Sequence, residues 1–543
     1  LLKEHVMSFK KAWMGLLLIP LLSIGMVMAQ GPDQESLGDP YFPQAGNGGY
    51  DALHYGLDLN VDVDANTIDA TATIDATATE ELSAFNFDFS GMDVSAVTVN
   101  DTDATFTHDG GELAITPATP IASGEAFTVV VTYSGTPTPI DDPALAGATL
   151  GWVKYAQGIY VTSEPMGSAS WYPVNDHPSD KATYTITVTV PEPYVVAANG
   201  VLQSTTDNGD TTTYVWDGDD PMASYLTTVH ISEFAVDESE GPNGLLLRNY
   251  FPADQAEEFT QVFSTQGDML TVYEDTFGPY PFDAYGGVVI GQSLGFALET
   301  QTMSTFDVGT VGDDTEVYPG ITQAEIVIAH EMSHQWFGDS VTPARWQDIW
   351  LNEGFATYAE ALVVEQFSSP EAAEEHIRGW YETMAAFQSL RAEGATGVDV
   401  FNAIQQFIGG DEITLELFAG YLGTTAEELE TTPAADIIDA MQIGDAVAAV
   451  IIGDPGEANL FSLPVYYRGG LTLQALRLTV GDEAFFTILR TYYDRYKYSN
   501  VTTDDFIAVA EEVSGQQLDD LFNAWLFTED LPDIPEMGLT TAE

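Results

Sequence analysis

The hydrophobic period of the chain changes once, and that change constrains the fold more than any other feature. From about Tyr50 to Glu240, apolar residues recur at every second position. Leu57, Leu59, Val61 and Val63 alternate with Asp58, Asn60 and Asp62; Phe85, Phe87 and Phe89 alternate with Asn86 and Asp88; Tyr184, Ile186, Val188 and Val190 alternate with threonines. Successive side chains of a strand point to opposite faces, so these runs predict antiparallel sheets with one buried and one solvated face. Asp109-Gly110-Gly111 and Asp207-Asn208-Gly209 supply hairpin turns between them. A repeated IDATAT, starting at Ile68 and again at Ile74, is too brief to indicate a solenoid.

After about Gly241 the pattern becomes helical, in segments such as Glu257 to Glu274, Ile321 to Phe337 and Asp348 to Gln366. Thr503, followed by Asp504 and Asp505, reads as a helix N-cap whose acids complement the helix dipole, and Leu518 to Leu526 forms a last amphipathic piece. No Lys or Arg occurs between Arg391 and Arg468. The acidic, Gly- and Ala-rich stretch at 394–451 within it reads as an insertion or lid, or equally as a solvated surface excursion. The expected organisation is a β domain over 30–240 and a mainly helical domain over 241–535.

Charge decides what such a fold can bind. With 84 Asp+Glu against 14 Lys+Arg, the formal net charge is −70, which excludes an ordinary nucleic-acid partner because neutralising phosphates requires basic side chains. Acidity alone can signal disorder, but 45% apolar and 11% aromatic residues are enough to build large cores. So dense a carboxylate surface repels itself in dilute buffer and is screened by salt, which predicts a protein suited to high ionic strength; simple solubility is the alternative reason for the acidity. The absence of cysteine excludes disulfides, a thiol nucleophile and Cys-ligated metal, so any metal must use His and carboxylates.

At the N-terminus, Lys10 and Lys11 precede an apolar run from Trp13 to Met28 that closes on Val27-Met28-Ala29. The run is interrupted by Pro20 and is shorter than the roughly 20 residues that span a bilayer, so 1–29 reads as a signal peptide, with a retained anchor as the alternative. The expected location is extracellular or periplasmic.

The chemistry is concentrated in two motifs. In IVIAHEMSHQWF, from Ile326 to Phe337, His330 and His334 stand four apart on one helix face, so both imidazoles can reach one zinc ion, with Glu331 beside them facing the water such an ion activates. Either histidine alone reads better as a core residue satisfied by backbone, but two imidazoles and a carboxylate on an apolar helix face are costly without a partner or metal. A metzincin would need Gly and His where Phe337 and Ser340 stand. WLNEGFATYAE, from Trp350, instead offers Glu353 as a third ligand on a second helix. A His₂Glu set with an open position is a hydrolytic zinc arrangement.

HEMSHQWFGDS and WLNEGFATYAE together resemble the zinc aminopeptidases of the M1 family, gluzincins with H-E-x-x-H and a downstream N-E-G. Three further segments extend the resemblance: YVTSEPMGSASWYPVNDHPSDKATY from Tyr160, LGFALETQ from Leu294, which resembles the G-x-M-E-N substrate loop, and VYYRGGLTLQALR from Val465, which resembles the Y-x-K-G segment. Landmarks run from about Asp39 to Pro532. The resemblance implies an N-terminal antiparallel, saddle-like β domain followed by a thermolysin-like, mainly helical catalytic domain, without the helical C-terminal domain of longer relatives.

It also implies one zinc ion on His330, His334 and Glu353, with Glu331 as general base and proton carrier and Tyr466 stabilising the oxyanion. Tyr467 is the adjacent competitor of Tyr466. Glu299 and Glu164 are implied to bind the free α-ammonium of a peptide substrate, which makes the enzyme an aminopeptidase. Phe296 and Thr300 depart from the Gly and Asn of the substrate loop, with Gly295 as a compensating glycine. A catalytically silent peptide-binding relative, an endopeptidase and an epoxide hydrolase remain the alternatives.

Overall fold

A computed structural model describes residues 36–141, 149–391, 394–408, 414–441 and 450–541. The expected signal peptide and parts of the 394–451 stretch lie outside the described residues. The chain forms two compact units. The first takes in the described residues up to Gln261 together with Phe282–Gly312; the second takes in Val262–Pro281 and the residues from Asp313 onward.

The first unit is β-rich. Its largest sheet contains β1 (Tyr50–Asp62), β2 (Thr67–Ala78), β3 (Asp93–Val99), β4 (Thr102–Asp103), β5 (Ala126–Gly135), β6 (Ala182–Pro191), β7 (Val201–Asp207) and β8 (Thr211–Met222), in the order β7-β8-β6-β1-β2-β5-β3-β4. The alternation read from the sequence sets its buried face: Tyr55, Leu57, Leu59 and Val61 of β1 are buried while Asp58, Asn60 and Asp62 are exposed. The first copy of IDATAT and all but the last residue of the second fall in β2, where Ile68, Ala70, Ala72 and Ile74 share the buried face. The Asp207-Asn208-Gly209 turn joins β7 to β8.

Two features depart from the alternation argument. β1 and β6 pair in parallel, His54 with Thr183 through Asn60 with Thr189. Turn signals determine only strands joined by a hairpin, and these two are far apart in sequence. Further, Asn86 and Asp88 are buried along with Phe85 and Phe87 in the strand Phe85–Asp88. Asp88 Oδ2 accepts the backbone N–H groups of Gly46 at 3.2 Å and Asp176 at 2.8 Å, so its polar face is covered by loops rather than by water.

A second sheet carries the strand Gly158–Thr162, from which the chain runs into Glu164. A third contains Phe234–Glu240, Leu246–Pro252, Gly287–Ile290 and Ser304–Asp307. The loop with the LGFALETQ sequence connects its last two strands, which pair in parallel.

The second unit is mainly helical. Its site-bearing helices are α1 (Gln323–Ser333), α2 (Trp350–Phe367), α3 (Pro370–Ser389) and α4 (Leu463–Val480). Thr322 and Glu325 form a capping box that fixes where α1 begins. α1 ends before the predicted Phe337: His334 is its C-cap, and the chain turns back through Gly338 at φ +140°. The predicted helix from Glu257 to Glu274 is interrupted by a tight turn at Phe263–Thr265. The N-cap expected at Thr503 is Thr502, whose capping box closes on Asp505; Thr503 is the first helical residue, and its hydroxyl donates to Asp348 Oδ1 at 2.7 Å. Sequence spacing could not separate adjacent threonines when the second has a long-range partner.

Two glycines set how closely α2 and α4 pack. A Cβ on Gly354 would lie 2.7 Å from Gly469 Cα, so the backbones meet without intervening side chains. Within 394–451, the described residues include the helices Gly397–Ile408, Leu415–Leu422, Ala426–Leu429 and Ala434–Met441. Val400, Phe401, Phe418, Leu429 and Ile437 are buried in a small core of their own with Leu390. Among the described residues, no helix is long and apolar enough to cross a membrane.

Candidate metal centre

α1 presents His330 with Glu331 next to it, His334 follows at its C-cap, and α2 supplies Glu353. One donor atom from each of His330, His334 and Glu353 lies within 4.8 Å of the others. Glu353 Oε2 is 3.4 Å from His330 Nε2 and 3.5 Å from His334 Nε2. Ligand atoms about 2.0–2.1 Å from a tetrahedral zinc are separated by about 3.3–3.4 Å, so the spacing suits that ion.

The other ring nitrogens explain why both Nε2 atoms face Glu353. His334 Nδ1–H donates to the carbonyl of Phe337 at 3.1 Å, and His330 Nδ1–H donates to Glu360 Oε1 at 2.7 Å. With each Nδ1 engaged as a donor, the neutral form of each ring carries its lone pair on Nε2, the form that ligates metal. The charges fit as well. Burial pushes the Glu353 carboxyl up, but its hydrogen bonds with His330 and His334 outweigh burial and bring it down to about 2. Burial pulls His330 down, but Glu353 and Glu360 hold it well above the ordinary histidine value. The Glu360 carboxyl is likewise held below its ordinary value, burial raising it but hydrogen bonds with His330 and His376 lowering it more, and two carboxylates held ionised in this way demand positive charge, which protons or a divalent cation can provide. The donors present therefore fit zinc.

Glu360 is a site residue that the sequence reading missed. It lies seven positions after Glu353, two turns along α2, and this spacing is the signal that could have found it. Its second oxygen, Oε2, is 3.0 Å from His376 Nε2 on α3, and His376 Nδ1 is 3.1 Å from the Tyr318 hydroxyl. His330 is thus the end of a hydrogen-bonded chain running through Glu360 and His376 to Tyr318.

The structure separates the two candidate tyrosines of α4. The ring of Tyr466 stacks on His330 with centroids 5.9 Å apart, whereas Tyr467 stacks on Trp380 at 6.2 Å. Burial raises the pKa of the Tyr467 phenol, with Glu360 and Tyr318 adding to the effect. Arg468, the third residue of the YYRGG run, is buried and donates to the carbonyls of Ala524, Trp525, Glu529 and Asp530. It therefore ties α4 to the C-terminal segment.

Glu331 is buried on α1. Glu164 and Glu299 belong to the first unit, and both are buried. Glu164 follows the strand Gly158–Thr162, and Glu299 sits in the loop before Ser304–Asp307. The structure thus brings His330, His334, Glu353 and Tyr466 together in the second unit and carries Glu164 and Glu299 on the first.

Known proteins extend the picture. The family model of the peptidase M1 N-terminal domain matches residues 51–226, and that of the peptidase family M1 domain matches residues 262–418 and 416–525. The chain is 26% identical to Aminopeptidase M1-C of Oryza sativa subsp. japonica over 68% of its own length and 37% of that protein's. It is 23% identical to Leucine aminopeptidase 2 of Candida albicans over 91% of its length and 72% of that protein's. It thus spans little more than a third of the plant relatives it matches.

The crystal structure of an M1 zinc metallopeptidase mutant from Deinococcus radiodurans, bound to a Tyr-Ser-Ala substrate, superposes with a TM-score of 0.74 at 27% identity, covering 93% of this chain and 100% of that one. The corresponding structure of the M1 zinc metallopeptidase from the same organism gives 0.73 at 27% identity, covering 92% and 99%. With the two family models together matching well over half of its length, the chain belongs to peptidase family M1.

Proposed function

We propose that the protein is a zinc-dependent aminopeptidase that hydrolyses the first peptide bond of peptides with a free α-amine. The observation that carries this reading is the convergence of His330 Nε2, His334 Nε2 and Glu353 Oε2, with the Tyr466 ring against His330. His330, His334 and Glu353 would hold a zinc ion, which would supply Lewis acidity at the scissile carbonyl and at the attacking water. Glu331 takes a proton from the attacking water and delivers it to the departing amine. The Tyr466 phenol donates a hydrogen bond to the oxygen on which charge develops as the scissile carbonyl is attacked. Glu299 and Glu164 pair with the substrate α-ammonium, and the interior of a peptide has no such charge to offer. Similarity to proteins named aminopeptidases, and to a metallopeptidase with a bound tripeptide, supports the same reading.

The deciding experiment compares a panel of free aminoacyl amides with their N-acetylated counterparts in high salt. Release from the free set alone, abolished by chelator and restored by zinc, is the expected result. Equal cleavage of both sets would point to an endopeptidase, and zinc binding without turnover would point to a peptide-binding relative. In the same assay Glu331→Gln should keep zinc and lose most turnover, while Glu353→Ala should lose the metal.

Two finer readings belong with this proposal. The 1–29 segment directs export and is removed, which N-terminal sequencing of the secreted protein checks. The acidic surface is adapted to salt, so the melting temperature should rise between low and molar NaCl. A flat or falling value would refute that adaptation.

A further inference from the structure

Asp307, the last residue of the strand Ser304–Asp307, is fully buried, and its carboxylate gathers four backbone N–H groups. Oδ2 accepts from Leu294 at 2.6 Å and from Gly295 at 2.7 Å; Oδ1 accepts from Thr310 at 2.8 Å and from Gly309. The backbone N–H of Asp307 itself donates to Thr310 Oγ1 at 3.2 Å. One side chain therefore ties the loop before Glu299 to the turn after the strand.

The loop is fixed again four residues after Leu294. Leu298 and Thr305 exchange backbone hydrogen bonds at 2.8 and 2.7 Å. Only Phe296 and Ala297 separate the Asp307 clamp from this bridge, and Glu299 follows immediately. Gly295 has φ +88°, a conformation that L side chains rarely adopt, yet a Cβ placed there would meet nothing within 4 Å. The glycine is needed for backbone conformation and not for space.

We propose that Asp307 is a positioning residue for substrate recognition: it holds the 294–298 loop in the conformation from which Glu299 binds the substrate α-ammonium. The proposal rests on the aminopeptidase reading above. Contact with the α-ammonium is the same in the ground and transition states, so loosening the loop should weaken binding without slowing the chemical step.

Two variants test it in the full-length protein. Asp307→Asn keeps the size of the side chain but replaces one acceptor oxygen with an NH₂ group facing N–H donors. Gly295→Ala leaves Asp307 intact and disfavours only the local backbone. For free aminoacyl amides, Asp307→Asn should raise KM by about tenfold with kcat changed by less than about twofold, and should narrow the discrimination against N-acetylated substrates. Gly295→Ala should act in the same direction with a smaller effect. Zinc content should remain that of the wild type in both.

If Asp307→Asn does not fold, Gly295→Ala decides the matter through the same KM and kcat measurements. A wild type that prefers free amines, with folded variants that keep its KM and its discrimination, would overturn the proposal alone. A fall in kcat at constant KM would overturn it too, since the loop would then act on the chemical step. A wild type that turns over neither substrate set would overturn the aminopeptidase reading and this proposal with it.

Discussion

Glu360 Oε1 lies 2.7 Å from His330 Nδ1, and the other oxygen of the same carboxylate is 3.0 Å from His376 Nε2. The carboxylate therefore fixes the tautomer and the rotation of the His330 ring while being held in place itself. Such partners behind a ligating histidine typically change metal affinity by about 10–100-fold. Glu360→Gln should lower zinc affinity by about that factor while leaving the fold intact. Competition with a chromophoric chelator measures this directly, and an unchanged affinity would show that packing alone orients His330.

The two tyrosines of α4 should separate cleanly. Tyr466→Phe removes a hydroxyl from the ring stacked on His330 and should cost about 10²–10³ in kcat with zinc retained, the scale seen when one oxyanion donor is lost. Tyr467→Phe alters a ring packed on Trp380 and should leave kcat within about threefold of the wild type. Steady-state kinetics of both variants decides the assignment; the reverse ranking would transfer the role to Tyr467.

The chemistry was legible where it depends on local spacing. His330, Glu331 and His334 lie within one helical turn and a half, and the N-E-G segment that contains Glu353 is a contiguous string. What was not legible depends on contacts between distant segments. The parallel pairing of β1 and β6 leaves no turn signal. Asp88 is polar and alternates with phenylalanines, yet it is buried because the loops containing Gly46 and Asp176 fold over it. Asp307 looks like one acid among 84 until the fold brings four backbone N–H groups to it. Thr502 and Thr503 are both good caps, and Asp348, remote in sequence, engages the second.

The close approach of α2 and α4 makes a prediction about glycine. In Gly354→Ala the new Cβ would lie 2.7 Å from Gly469 Cα, a backbone atom that cannot rotate away, so the helices must separate. Overpacking of this kind costs about 1–3 kcal/mol, and the shift moves Glu353 relative to Tyr466, so both stability and kcat should fall. Gly379, exposed on α3 where an added Cβ would meet nothing within 4 Å, is the control. Gly379→Ala should stabilise by up to about 1 kcal/mol through helix propensity. Urea unfolding of the two variants checks the sign of each change.

A buried and a half-buried acid in the first unit make stability depend on pH in a definite direction. Burial raises the carboxyl of Glu112 to about 7 and that of Asp180 to about 8, with hydrogen bonds from Asn47 and Asn86 to the first and from Asn175 to the second opposing the rise. A carboxyl whose folded pKa lies above its unfolded value binds more protons in the native state, so its contribution is full below the unfolded pKa and is lost as pH rises through the folded one. Burial pulls the buried His230 down to about 3, so it works in the opposite direction below the unfolded histidine pKa of about 6.5. Between about pH 6.5 and 8.5 the carboxyls therefore dominate this unit, and stability should fall with rising pH. Surface repulsion shares that sign but is screened by molar NaCl, whereas buried groups are screened far less. The melting temperature of the full-length protein, followed over this pH range in molar NaCl, should still decline, and Glu112→Gln should flatten the decline. If salt abolishes the slope, the pH dependence arises from the surface; if Glu112→Gln leaves it unchanged, Glu112 does not contribute to it.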